Sequence, residues 1–136
     1  MNYKKLNDNW NAEPNAPEVF ATIKNDKLVI EFGLNYFLYD QFREGDKGRL
    51  TFIDCSRYHL GITNDEGYYL GQYRIGDDDL PWSEFYQIQS GLNREFPTST
   101  IVNENITGDL NHYIFFFRDN TLEVEARDYL YEIIKN

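Results

Sequence analysis

The chain has 136 residues, of which 41% are apolar and 17% aromatic, and 23 acidic against 13 basic side chains leave a net charge of −10. This richness in Tyr and Phe excludes an intrinsically disordered chain, and the length predicts one domain with a real core. The charge works against nucleic acid, because gripping a phosphate backbone needs clustered Lys and Arg to displace counterions.

Residues 1–17 are predicted to be an extended strap, since Pro14 and Pro17 push the residues before them out of the helical region. Trp10 is the expected anchor that pins this strap to the body, and the prolines sit within 11–17. From Val19 the period becomes two. Val19–Lys24 and Leu28–Leu34 form a predicted hairpin around Asn25-Asp26, with Leu28, Ile30, Phe32 and Leu34 on one face and Glu31 on the other.

Asn35 then stands where a helix cap belongs. Phe37, Leu38, Gln41 and Phe42 follow at helical spacing, with Gly45 beyond, which predicts a two-turn helix over 35–43; a continuing strand is the alternative. Strands are expected over 48–62 and 68–75, around a turn at 63–67 whose Gly67 tolerates positive φ. Residues 76–82 read as an acidic loop, and 83–89 fit either helix or strand.

Near the carboxyl end, Tyr113–Arg118 and Thr121–Arg127 flank Asp119-Asn120, a two-residue hairpin turn. That turn sets Phe117 opposite Leu122, Phe115 opposite Val124 and Tyr113 opposite Ala126, and places Phe116 beside Glu123 on the other face. A strand apolar at every position from Tyr113 to Phe117 belongs in the middle of a sheet. Ala126, Tyr129, Leu130, Ile133 and Ile134 fall at helical spacing and predict a C-terminal helix. The expected fold is therefore α+β: a hairpin-rich, mostly antiparallel sheet of about six to eight strands with one to three short helices, in a single domain.

No run approaches the roughly 20 apolar residues of a membrane helix, and no apolar segment follows Lys4 and Lys5 as in a signal peptide. One cysteine permits no internal disulfide, so a cytoplasmic protein is expected. Cys55 and His59 could form a thiolate–imidazole pair on a helix, but on a strand four residues span roughly 13 Å and the pair cannot meet. His112 is expected at the surface; with Cys55 and His59 it would complete three zinc ligands, but their separation forms no motif. Asp77, Asp78 and Asp79 are consecutive, without the alternation a calcium loop needs, and the glycines form no phosphate-binding loop. No cofactor or metal is predicted.

What remains is recognition. Trp82, Glu84 and Tyr86 lie close to Asp77, Asp78 and Asp79, and an aromatic anchor among carboxylates suits a basic protein patch or a sugar. The competing reading makes Trp82 and Phe85 part of the core and the aspartates a solvated loop. Residues 69–136 carry 5 basic and 12 acidic side chains against 8 and 11 in residues 1–68, so the negative charge gathers in the second half. In size and charge the chain resembles bacterial immunity proteins, which neutralise basic toxins; this is a resemblance of composition and transfers no residue roles. The expected function is a non-catalytic module that binds a basic protein. The alternatives are a carboxylate-based enzyme or carbohydrate-binding domain, and a homo-oligomer subunit.

Overall fold

Asn25 takes a φ of +55°, a value Asn tolerates better than most residues, and so closes a two-residue turn between β2 (Phe20–Lys24) and β3 (Lys27–Gly33). This is the hairpin read from the period of two, with Phe20 opposite Glu31 and Ile23 opposite Leu28. Leu28, Ile30, Phe32 and Leu34 are buried on one face, as the alternation requires. The computed structural model describes residues 2–61, 83–90, 96, 99–118 and 120–136. The strand expected at 68–75, the turn before it and the acidic loop at 76–82 lie outside the described residues.

The described strands form one antiparallel sheet, completed by β1 (Asn2–Lys5), β4 (Lys47–Gly61), β5 (Phe85–Ser90), β6 (Thr100–Ile101), β7 (Asn111–Phe116) and β8 (Thr121–Ile134). Its order is β1-β5-β7-β8-β4-β3-β2, and β6 pairs separately with β4. The ambiguous stretch after Ser83 is therefore a strand. The sheet curls strongly. Phe32 on β3 lies 5.2 Å from Phe115 on β7 although two strands separate them, and Phe52 on β4 lies 6.0 Å from Phe85 on β5. Within the curl, Phe115 stacks on Phe117 at 4.1 Å and Trp10 on Tyr131 at 4.0 Å. Each such ring contributes about 1.5–3 kcal/mol on burial.

Residues 6–17 span the opening of this curl. The Leu6 and Ala12 amides donate to the carbonyls of Phe85 (2.8 Å) and Ser83 (3.1 Å), while the Glu13 amide donates to Gly33 on β3 (2.8 Å). Ala12 also bridges Leu34. The segment thereby ties the β5 side of the sheet to the β3 side, with Trp10 filling the space beneath it.

Two helix expectations are corrected, and with them the α+β class: the described part is all-β and contains no helix. The C-terminal stripe is the far half of β8, which pairs with β4 from Thr121 opposite Gly61 to Ile134 opposite Lys47. Its helical look has a physical source. Ala126 and Tyr129 both face the core, so the alternation slips at Arg127 and Asp128, beside Asp54 whose φ is +50°. A slip in a period of two imitates an i, i+3 spacing. The 35–43 segment forms successive turns. The Asn35 side chain does cap, accepting from the Phe37 and Leu38 amides at 3.2 Å each, but no helix propagates beyond the first turns.

The C-terminal hairpin is also corrected, by two residues. Phe115 pairs with Leu122, Tyr113 with Val124 and Ile114, not Phe116, with Glu123. β7 ends at Phe116 and β8 begins at Thr121, and between them the Phe117 amide donates to the Asn120 carbonyl at 2.8 Å; Asp119 lies outside the described residues. A shift of two keeps each side chain on its expected face, so the core is unaffected. Tyr113 to Phe117 are buried on both faces of the sheet.

Candidate functional site

Of the residues marked by sequence for partner binding, Asp77, Asp78, Asp79 and Trp82 lie outside the described residues, and Glu84 and Tyr86 lie within them. The Glu84 carboxylate accepts from the side chains of Asn7 and Asn11 (2.9 Å for Asn11) and pairs with Lys5 at 3.5 Å. It thus clamps the strap onto the start of β5. Tyr86 is buried on β5 with its ring edge-on to Tyr3 at 5.6 Å. Burial, helped by the Glu84 carboxylate, pushes its hydroxyl pKa up and keeps it neutral. Phe85 beside it is fully buried, which fits the core reading for that residue.

Cys55, His59 and His112 do not converge. Cys55 and His59 both lie on β4, but Cys55 faces the aromatic core opposite Ala126, whereas His59 sits opposite Glu123 on the other side of the sheet. Ser56 is the extra residue of a bulge between them. Burial pushes the Cys55 thiol up to about 12, and its Sγ donates to the Arg57 carbonyl at 3.6 Å, so no thiolate nucleophile is available. His112 is not a free surface residue. Its Nε2 lies 2.9 Å from the Glu123 carboxylate, which is fully buried, and its ring packs on Phe96 at 5.2 Å. The Arg57 guanidinium covers the same Phe96 at 4.2 Å and pairs with Glu125 at 3.2 Å. Among the described residues no cluster of three His, Cys, Asp or Glu could hold a metal, and no helix is long and apolar enough to cross a membrane.

The described part does contain an acidic site that sequence reasoning missed. Where the strap meets the end of β3, the Ala12–Leu34 bridge brings the Glu13–Glu18 segment beside the 35–46 turns. Between them lies a cleft of about 260 Å³, lined by Glu13, Glu18, Tyr36, Glu44, Asp46 and Lys47. Two of these acids are structural. Glu13 is buried and accepts from the amides of Asn15 (2.9 Å) and Ala16. Asp46 accepts from the Arg43 amide at 2.9 Å, the Asn136 amide at 3.0 Å and the Lys135 ammonium at 3.0 Å. Those bonds, the backbone amides first, hold its carboxyl down at about 2.

The other two acids are available. Glu18 and Glu44 are exposed, and neither forms a hydrogen bond or ion pair with a described residue. Partial desolvation, then the charges of Glu44 and Glu13, push the Tyr36 hydroxyl up, so it stays protonated as a donor and acceptor. Tyr36 stacks on Phe37 at 4.3 Å, and the Asn35 cap turns Phe37 and Leu38 outward, each 62% exposed. The cleft therefore offers two free carboxylates beside the Tyr36 ring, against which the exposed Phe37 stacks. The sequence held one trace of it: each acidic group flanks a breaker, Glu13 before Pro14 and Glu44 before Gly45. Nothing in the order of residues showed that two turns about 30 positions apart would meet.

Comparison with protein-family models, curated proteins and solved structures finds no match for this chain.

Proposed function

We propose that the chain is a non-catalytic recognition module that receives a basic protein segment in the cleft between the strap and the 35–46 turns. The observation that carries this reading is the placement of two uncommitted carboxylates, Glu18 and Glu44, in one cleft with Tyr36, whose ring stacks on the exposed Phe37. A Lys or Arg side chain entering the cleft gains those charges, and its stem gains the apolar rim. The net charge of −10 speeds the approach of a cation from any side. Acid–base catalysis is disfavoured here because Asp46 is driven toward permanent ionisation, opposite to what a proton donor at neutral pH needs. Asp77, Asp78, Asp79 and Trp82 carry similar chemistry and are a second candidate contact for the same partner.

The test uses a fluorescent Arg/Lys-rich decapeptide as probe. Glu44→Arg is expected to slow association and flatten its salt dependence, and Phe37→Ala to weaken binding about tenfold, the effect of losing one aromatic anchor. Reversing Asp77, Asp78 and Asp79 together measures the share held by that run. Unaltered binding in both the Glu44 and Phe37 variants would remove the cleft from the proposal.

A further inference from the structure

The ladder between β4 and β8 ends with Lys47 opposite Ile134, and that register delivers the residues just beyond it, Asp46 and Lys135, side by side. The Lys135 ammonium and the Asn136 amide each donate to the Asp46 carboxylate at 3.0 Å, one to each oxygen. The same ammonium donates to the Gln41 carbonyl at 2.8 Å and lies over the Phe42 ring at 5.4 Å. Asp46 in turn closes the turn over residues 43–46. Its amide donates to the Arg43 carbonyl at 3.0 Å, and its carboxylate accepts from the Arg43 amide at 2.9 Å. Gly45, at a φ of +92°, lies so near the Asn136 side chain that a Cβ there would overlap it. Glu44 is the exposed carboxylate within that turn, and its side chain bonds to no described residue. Its place in the cleft is therefore set by the turn, and the turn is held by residues 135 and 136, neither of which lines the cleft.

We propose that Lys135 and Asn136 are positioning residues for the cleft: from the end of β8 they lock the 43–46 turn and so hold Glu44 where a basic segment meets it. This inference rests on the reading of the cleft as the recognition site. A carboxylate that is already ordered needs no further ordering when a ligand arrives, whereas a loosened turn must be ordered by the ligand at the expense of affinity. Charge alone predicts the opposite effect. Lys135 is a cation beside an acidic site, and without it the chain is one unit more negative than −10 and attracts a basic peptide more strongly. The sign of the change on removing Lys135 therefore separates positioning from electrostatics.

The test is the affinity of full-chain variants for the fluorescent Arg/Lys-rich decapeptide, with far-ultraviolet circular dichroism to check the fold. Lys135→Ala is expected to weaken binding about three- to tenfold in spite of the lost positive charge, the effect of one recognition side chain left for the ligand to order. Lys135→Arg keeps the cation and is expected to stay within about twofold of the parent. Asn136→Pro removes the amide donor without changing any charge and is expected to weaken binding in the same direction. In both weakened variants the Arg43 amide should exchange faster while Phe115 stays protected. Lys135 is largely exposed, so its removal is expected to spare the fold; should it not, Asn136→Pro decides. Binding that is equal or tighter in Lys135→Ala, lost in Lys135→Arg, or unchanged in Asn136→Pro overturns the positioning role and leaves the cleft reading standing. If the parent does not bind the peptide, or Glu44→Arg and Phe37→Ala both leave binding unaltered, the cleft reading fails and this proposal falls with it.

Discussion

β7 and β2 are antiparallel strands of similar length in the same sheet, each carrying large apolar side chains, yet they meet opposite fates. From Tyr113 to Phe116, β7 is buried on both faces between β5 and β8. Every residue of β2 is exposed. Position in the sheet makes the difference: among the described strands β7 has two neighbours and lies within the curl, whereas β2 has one and lies at the rim. Propensity alone would not separate Phe-Ala-Thr-Ile-Lys from His-Tyr-Ile-Phe-Phe. The separating signal is that β7 is apolar at every position from Tyr113 onward, which only a strand covered on both sides can sustain. The molecule keeps its stability in one strand and leaves the other exposed to solvent.

The sharpest way to break this contrast is to truncate an aromatic in each strand. Phe115→Ala leaves a hole among Trp10, Phe32, Phe85 and Phe117 and is expected to cost about 3–5 kcal/mol in urea unfolding. Phe20→Ala, at 61% exposure, is expected to stay within about 0.5 kcal/mol under conditions that keep the chain monomeric. Equal costs would mean that β2 is buried in the protein as it exists in solution, and that the contrast is false.

A smaller effect tests what holds the curl closed. Asn7 is buried; its side-chain amide donates to the Trp10 carbonyl at 2.7 Å and to Glu84, and its oxygen accepts from the Phe85 amide at 3.1 Å. Asn7→Ala strands those partners and is expected to cost about 1–3 kcal/mol. The loss should appear as faster amide exchange at Leu6 and Ala12 while β7 stays protected. Equal loosening of β7 would make strap and core one cooperative unit.

How legible all this was depends on the range of the interaction. The β2–β3 hairpin and the core face of β3 follow from alternation and from Asn25, both local. The centrality of β7 follows from a local run as well. The C-terminal strand was hidden because its alternation slips at Arg127 and Asp128, and that slip answers Asp54, more than 70 residues away in sequence, whose carboxylate takes Arg127 at 3.0 Å. The hairpin register was missed by two because Phe117 could equally end the strand or begin the turn. Of the candidate site, the acids and aromatics are visible in sequence, but the cleft exists only because Ala12 bridges Leu34. Composition could suggest a basic partner, and topology alone could say where carboxylates stay unpaired.

The mildest perturbation is acid, and it separates the cleft wall from the core. The Asp46 carboxyl stands at about 2 in the folded chain, held by the Asn136 and Arg43 amides and by Lys135. In the unfolded chain it returns to about 3.9, so between those values the unfolded state binds the extra proton. The stabilisation from Asp46 is therefore complete above roughly pH 5 and is lost as pH falls through the folded value of about 2. Asp46→Asn should be less stable than the parent at pH 7, and the gap should shrink steadily as pH is lowered toward that value. Amide exchange locates the effect. The Arg43 and Asn136 amides, which donate to this carboxylate, should lose protection on acidification while Phe115 on β7 keeps its own. A stability gap that does not change with pH would show that the Asp46 contacts act through shape and hydrogen bonding alone, with no contribution from its charge.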